Sequence, residues 1–190
     1  MASASSMGAP FQFPEIHNFP PFFTRQPNED TWKEQRRLWC DLVLAYCRHY
    51  RLFRLSLAEA VAEPPFTNRR IHRSLRVDTL REIVDELVKQ GNAAWTGQKG
   101  AQDTCMVFWR KPETWAGMIH QWASDRGLCN TVLTVFELTN GDDTADQEFH
   151  GLDPATLRRA LEELQSQGKA QLFVGSSDDD AGVKFFAPAK

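Results

Sequence analysis

Five histidines (His17, His49, His72, His120, His150), four cysteines (Cys40, Cys47, Cys105, Cys129) and the run Glu148–Phe149–His150 are the residues here with side chains for nucleophilic, acid–base or metal chemistry. Each of those chemistries needs a spacing as well as a residue type. Zinc sites use Cys-x-x-Cys pairs, and a metalloprotease helix carries H-E-x-x-H; neither pattern occurs. There is no glycine-rich phosphate loop and no nucleophile elbow. Cys40 and Cys47 are seven residues apart, hence on one helical face, where small buried thiols account for them. Glu148–Phe149–His150 reads as a polar loop ahead of a helix cap. The residues point away from an enzyme and imply no cofactor and no metal.

Two other clusters suit recognition. Phe19, Pro20, Pro21, Phe22 and Phe23 form a run in which the prolines impose an extended, polyproline-like course. Such a backbone loses little entropy on docking into an aromatic-lined groove, and large aromatics are the usual anchors. The residues alone leave two outcomes open: Phe22 and Phe23 dock into another protein, or they fold back onto this chain's own first domain. The second cluster, residues 68–76, has Arg69, Arg70, Arg73 and Arg76 around His72. It reads either as a phosphate or lipid-headgroup patch or as a solvated helix face pairing with Glu63, Glu82 and Asp85.

An internal repeat supplies the elements that must position these residues. With Leu80 laid on Leu157, one shift puts Val84 on Leu161, Leu87 on Leu164 and Gly91 on Gly168. Apolar residues recur at i, i+3, i+4 and i+7 in both copies, the stripe of an amphipathic helix. Asp153–Pro154 is a cap followed by proline at the first helical position, and both glycines stand where a helix stops. Two short strands are expected after each glycine, at residues 92–97 and 104–110 and at 170–175 and 182–187. A short strand running into a helix start precedes each copy, at 55–60 and 133–138, with Glu59 and Glu137 in equivalent places. Each half opens with a longer helix. The first has Trp32, Trp39, Leu42, Val43 and Tyr46 on one face, with Thr31 and Glu34 as a capping box. The second runs from Pro112 to a stop at Gly127 and carries Trp115, Met118, Ile119 and Trp122.

Helix, strand, helix, helix and hairpin is the winged-helix order. The expectation is an α+β chain of two tandem winged-helix domains, residues 19–110 and 111–187, behind a disordered N-terminus at 1–18. The fold's usual ligand is duplex nucleic acid, so a nucleic-acid-binding regulator is the alternative reading. Charge argues against it. The third helix of the first half carries Asp78, Glu82, Asp85 and Glu86 against Arg81 and Lys89, and that of the second carries Asp153, Glu162 and Glu163 against Arg158 and Arg159. The second wing adds Asp178, Asp179 and Asp180, where phosphates would need cations. The net charge is −3, the first residues are not a secretory signal, and no run has the length of a membrane span. Widely spaced cysteines suit reduced thiols, and the reading is a soluble intracellular protein.

Five stretches carry a resemblance to a known family: PPFFTRQPNEDTWKEQRRLWCDLVL, RSLRVDTLREIVDELVKQGNAAW, VFWRKPETWAGMIHQW, VFELTNGDDTADQEFHGLDPATLRRALEELQSQGKA and GVKFF. From about Phe19 to Phe186 the sequence resembles the small subunits of ESCRT-II, the vacuolar protein-sorting-associated protein 25 family. The resemblance implies two winged-helix domains and a non-enzymatic subunit present in two copies beside one copy each of two larger partners. The family's P-P-x-Y-like motif docks those partners and matches Pro20, Pro21, Phe22 and Phe23, with Phe23 in place of tyrosine, so that another subunit would cover the phenylalanines. The family's C-terminal winged helix recruits the ESCRT-III subunit that starts filament assembly by binding its first helix. That surface is placed at Thr131, Leu133, Thr134, Phe136, Asp142, Asp143 and Arg158. The implied setting is sorting of ubiquitinated cargo into multivesicular bodies, with the chain cytoplasmic and recruited peripherally to late endosomes. A homodimer is also possible on this reading, nucleic acid is not expected, and membrane contact is indirect.

Overall fold

The structure is a computed structural model and describes residues 9–96, 103–173 and 181–187. The chain divides into two compact units, Met1–Trp109 and Arg110–Lys190.

In the first unit, α1 spans Glu29–His49 and buries Trp32, Trp39, Leu42, Val43 and Cys47. It begins three residues earlier than a Thr31–Glu34 capping box implies. Asn28 is the cap: its Oδ1 accepts from the Thr31 backbone N–H at 2.9 Å, and Glu29 and Asp30 in the first turn meet the positive end of the helix dipole. Glu34 instead pairs with Arg37 at 2.6 Å. Next come β1 (Arg54–Ser56), the short α2 (Leu57–Ala60), the hairpin strands β2 (Thr67–Asn68) and β3 (Arg73–Ser74), α3 (Val77–Lys89), β4 (Ala93–Thr96) and β5 (Thr104–Val107). The sheet order is β1-β5-β4, with Cys105 between Leu55 and Trp95. Leu80, Ile83, Val84 and Leu87 of α3 are fully buried, as the helical stripe requires.

The second unit repeats this order. It has α4 (Pro112–Asp125), β6 (Val132–Thr134), α5 (Val135–Asn140), a 3-10 turn at Asp142–Thr144, α6 (Pro154–Ser166), β7 (Ala170–Phe173) and β8 (Gly182–Phe185). The sheet order is β6-β8-β7. Leu157, Ala160, Leu161 and Leu164 are buried on α6, against α4. Asp153 caps α6, accepting from the N–H groups of Ala155 and Thr156, both at 3.1 Å. Gly91 and Gly168 have φ of +75° and +67°, the left-handed stop that a side chain would strain. Each unit is a winged helix, and the fold class is α+β. The Asp178–Asp180 wing tip lies outside the described residues.

Two features depart from the sequence-based expectations. Residues 68–76 are not a helix face but the β2–β3 hairpin and the approach to α3. Thr67 pairs with Ser74 and Asn68 with Arg73, and Asn68 Oδ1 accepts from the Arg70 N–H at 3.0 Å. That local side-chain bond offers the backbone a turn in place of a helix. Second, residues 9–18 are not outside the fold: Phe11 and Ile16 pack on the first core and His17 is buried. Glu148–Phe149–His150 lies in the loop ahead of the α6 cap, as expected, and sends its side chains to three places. Glu148 pairs with Arg110 at 2.6 Å, Phe149 is in the core, and His150 Nδ1 meets Thr144 Oγ1 at 2.9 Å. Cys40, Cys47 and Cys105 are buried, and burial pushes each thiol up to about 12, far from thiolate chemistry at neutral pH.

Because Asp153 satisfies two donors at the α6 start, Asp153→Ala should destabilise the chain by about 1 kcal/mol. Urea unfolding followed by tryptophan fluorescence measures this, and an unchanged midpoint would show that the cap contributes nothing.

Candidate docking surfaces

Pro20–Phe23 is a single 3-10 turn, not the extended run that the two prolines suggest. Proline fixes φ near a value that the 3-10 and polyproline conformations share, so the choice falls to packing. The turn aims two rings inward. Phe22 stacks on Trp39 at 4.3 Å with the rings 5° from parallel, and Phe23 meets Trp39 edge-on at 5.4 Å. Trp39 Nε1 donates to the Phe22 carbonyl at 2.9 Å, and Gln35 Nε2 donates to it at 2.7 Å and to the Thr24 carbonyl at 3.0 Å. Phe22 and Phe23 are 3% and 2% exposed. The chain's own core covers them, which corrects the expectation that another subunit does. Phe19, 53% exposed, and the exposed Pro20 and Pro21 are what this segment presents.

His17 holds the other side of the turn. Its Nε2 donates to the Pro65 carbonyl at 2.8 Å, and its Nδ1 lies 3.2 Å from Asn68 Nδ2, which also donates to the His17 carbonyl at 2.7 Å. Burial lowers the imidazole pKa below its ordinary value, partly opposed by the Pro65 bond. The neutral Nε2–H form fits these partners, since a second proton on Nδ1 would face the Asn68 amide N–H.

The outer face of α3 is taken up within its own unit. Glu82 accepts from Arg25 at 3.0 Å and from Trp32 Nε1 at 3.0 Å, Glu86 pairs with Arg36 at 3.3 Å, and Asp85 accepts from Trp95 Nε1 at 2.9 Å. The suggested partners of the arginine stretch, Glu82 and Asp85, are thus occupied elsewhere.

In the second unit, Thr131, Phe136, Asp142, Asp143 and Arg158 are exposed, whereas Leu133 and Thr134 are half-buried. Thr134 is committed to capping α5: its Oγ1 accepts from the Glu137 N–H at 3.1 Å while Glu137 Oε2 accepts from the Thr134 N–H at 2.6 Å. Those bonds hold the Glu137 carboxyl below its usual range. Two exposed apolar residues of this unit lie outside the sequence-based set. Val132 and Phe173 are 55% and 40% exposed, and Phe136 is 54% exposed. Val132 and Phe173 flank Gly182, whose absent Cβ would lie 3.2 Å from Val132 Cγ1 and 3.6 Å from Phe173 Cβ. Strand alternation alone marks Val132, and no sequence spacing links it to Phe173. The turn at Asp142–Thr144 packs on α5, and Arg126 reaches Asp143 at 3.7 Å across a solvated gap.

A buried neutral histidine makes stability depend on pH. With the folded value below the unfolded one, the unfolded chain binds the extra proton first. Stability should therefore fall as pH drops through the ordinary histidine value of 6.5. Unfolding free energies for wild type and His17→Gln across that range should converge as pH falls, and parallel profiles would show that His17 does not titrate as its surroundings require.

Comparison with known proteins follows the same lines. The model of the ESCRT-II complex subunit family matches residues 16–153. Vacuolar protein-sorting-associated protein 25 of Danio rerio is 47% identical over 176 residues, spanning 93% of this chain and 99% of that protein. The Homo sapiens protein of that name is 44% identical over 180 residues, spanning 95% and 100%, and the Arabidopsis thaliana protein is 38% identical, spanning 93% and 97%. The crystal structure of subunit VPS25 of the endosomal trafficking complex ESCRT-II superposes with a TM-score of 0.79 at 29% identity, over 90% of this chain and 97% of that one. A crystal structure of the VPS22/VPS25/VPS36 endosomal complex gives 0.79 at 28%, over 90% and 98%. Identity sustained across both units, over relatives of nearly the same length, leads to one conclusion: this chain belongs to the ESCRT-II complex subunit family, with the vacuolar protein-sorting-associated protein 25 proteins of endosomal trafficking.

Proposed function

We propose that this chain is an adaptor without a reaction of its own, which docks on the two larger ESCRT-II subunits through Phe19, Pro20 and Pro21. Its second unit then recruits the ESCRT-III subunit that initiates filament assembly. The observation that carries the docking reading is the exposed ring of Phe19, on a segment pinned on one side by His17 and on the other by the Phe22 carbonyl. A ring held out by a preorganised backbone is presented at little further entropic cost. Phe22 and Phe23 act from beneath, by shaping the turn. The related solved complex contains VPS22 and VPS36 beside VPS25, which supplies the two larger partners. With two copies of this chain per complex, two recruiting surfaces would face ESCRT-III during sorting of ubiquitinated cargo into multivesicular bodies.

For the second unit, Val132, Phe136 and Phe173 offer an apolar centre, and Asp142 and Asp143 an acidic edge. That combination suits one face of a basic amphipathic helix, with the charge setting orientation and encounter rate. No helix among the described residues is long and apolar enough to cross a membrane, so endosomal localisation is assigned to recruitment from the cytoplasm by the larger subunits. A nucleic-acid-binding regulator has the carboxylate-rich α3 against it, and α6 offers no net positive charge in its favour.

Co-expression with the two larger subunits, with mass determined by light scattering, should give a complex holding two copies of the wild-type chain. Phe19→Ala should weaken that assembly by about 2 kcal/mol or more and leave the unfolding midpoint unchanged. Phe22→Ala should instead destabilise the chain itself by about 3–5 kcal/mol. Wild-type assembly by Phe19→Ala would overturn the docking reading. For the second surface, Phe136→Ala should reduce binding of the ESCRT-III subunit's first helix by about 1–2 kcal/mol. Asp142→Lys with Asp143→Lys should flatten its salt dependence; unchanged titrations for both variants would remove this surface from consideration.

A further inference from the structure

One glycine of the second unit has no use within its own fold. Among the described residues, every other glycine either adopts a left-handed φ or stands against a neighbour that leaves little room for a Cβ. Gly117 does neither. It lies inside α4, where glycine weakens a helix relative to alanine. A Cβ built there would meet nothing within 4 Å, and the position is exposed. The second unit therefore loses helix stability to this glycine without using the space.

That space belongs to an open groove of about 630 Å³. Met118 and Trp122 line it beside Gly117, and Gln147 lines it from the loop after α5. Glu113 and Asp125, also on its wall, bound a stretch of α4 about 18 Å long. Neither carboxylate has a cationic partner among the described residues; Asp125 accepts from the Gln121 amide at 2.7 Å. Arg126, the one cation lining the groove among the described residues, is shared between Asp143 at 3.7 Å and Asp146 at 3.9 Å. Trp122 is 7% exposed, and its Nε1 has no acceptor among the described residues. Phe149, edge-on to the indole at 5.6 Å, supplies no lone pair. A buried donor left in this way is costly, and an acceptor brought by a partner relieves it.

We propose that the α4 groove docks a basic amphipathic helix of a partner protein. An apolar side chain of that helix sits over Gly117 against Met118 and Trp122, and its lysines or arginines meet Glu113 and Asp125. Three properties select this occupant. The missing Cβ lets a second helix approach closely at one point, and methionine adapts to what arrives. A helix face offers no strand edge, so an extended peptide would find no backbone partners there, whereas a helix brings its own backbone satisfied. The unpaired carboxylates attract cations and repel acidic segments or a phosphate chain. The groove shares no residue with the Val132, Phe136 and Phe173 surface or with Phe19, so the inference stands apart from both.

The test titrates the full chain with a synthetic amphipathic helix of lysine and leucine, about 18 residues long, and with the same peptide carrying glutamate for lysine. The lysine peptide should bind and shift the Trp122 indole N–H resonance, and the glutamate peptide should not bind. Gly117→Leu should weaken binding about tenfold or more by filling the groove. Glu113→Lys with Asp125→Lys should weaken it as much and remove its salt dependence. Gly117→Ala separates site from fold, since it should raise the urea midpoint while weakening the peptide. A lowered midpoint would show that the glycine serves the fold and would overturn the inference. Failure of the lysine peptide to bind, equal binding of both peptides, or binding indifferent to Gly117→Leu would overturn it equally. If Phe136→Ala abolishes binding and Gly117→Leu does not, the peptide occupies the surface proposed for ESCRT-III; this inference then fails while that reading stands.

Discussion

The carbonyl oxygen of Phe22 accepts two hydrogen bonds from α1, one from Trp39 and one from Gln35, and the shape of the first unit's N-terminal face follows from that junction. A buried carbonyl left without donors would cost more than either bond contributes. The turn therefore has one arrangement in which its backbone is satisfied and its two inner rings lie on the indole. Stacking of Phe22 on Trp39 adds about 0.5–1.5 kcal/mol beyond the area removed from water. Everything presented outward by this segment, Phe19 above all, inherits its position from a contact made inward.

The two units show how one framework is turned to different surfaces. Their helical stripes superimpose, Leu80 to Leu87 on Leu157 to Leu164, and all of these residues are buried. The differences lie in what is left outside. In the first unit the outer face of α3 is spent on Arg25, Arg36, Trp32 and Trp95, and the positive charge is gathered on a hairpin with no counterpart among the elements of the second. In the second unit the sheet keeps Val132 and Phe173 exposed on either side of Gly182, and the turn after α5 is acidic. α3 carries four carboxylates against two cations, and α6 balances two glutamates with two arginines behind its Asp153 cap, a poor electrostatic footing for reading a duplex that points to loops, turns and sheet edges for recognition.

Much of the fold was legible because periodicity is a direct imprint of burial. The leucine stripes, the glycine stops and the Asp153 cap each carry a local physical reason, and each stands where that reason puts it. Caps and turns that compete locally were harder to read. Asn28 and Thr31 can both begin a helix, and the winner was settled by two further acidic residues entering the first turn. The 68–76 stretch has helix-compatible residues, yet Asn68 bonds forward to Arg70 and back to His17, the second partner lying far away in sequence.

The sequence by itself determined the winged-helix repeat, the acidic character of α3 and the membership of the ESCRT-II complex subunit family, because these are properties of local pattern and composition. Only the tertiary structure decided which of the five residues Phe19–Phe23 face a partner. Proline restricts φ without selecting between a 3-10 turn and an extended run, and the selection came from Trp39 and Gln35. It also brought Val132 of β6 and Phe173 of β7 to either side of Gly182 on β8, since these strands meet only after the sheet has paired. Whether an aromatic side chain is core or anchor depends on what else the fold brings to it, and that is a long-range property that no short stretch of sequence contains.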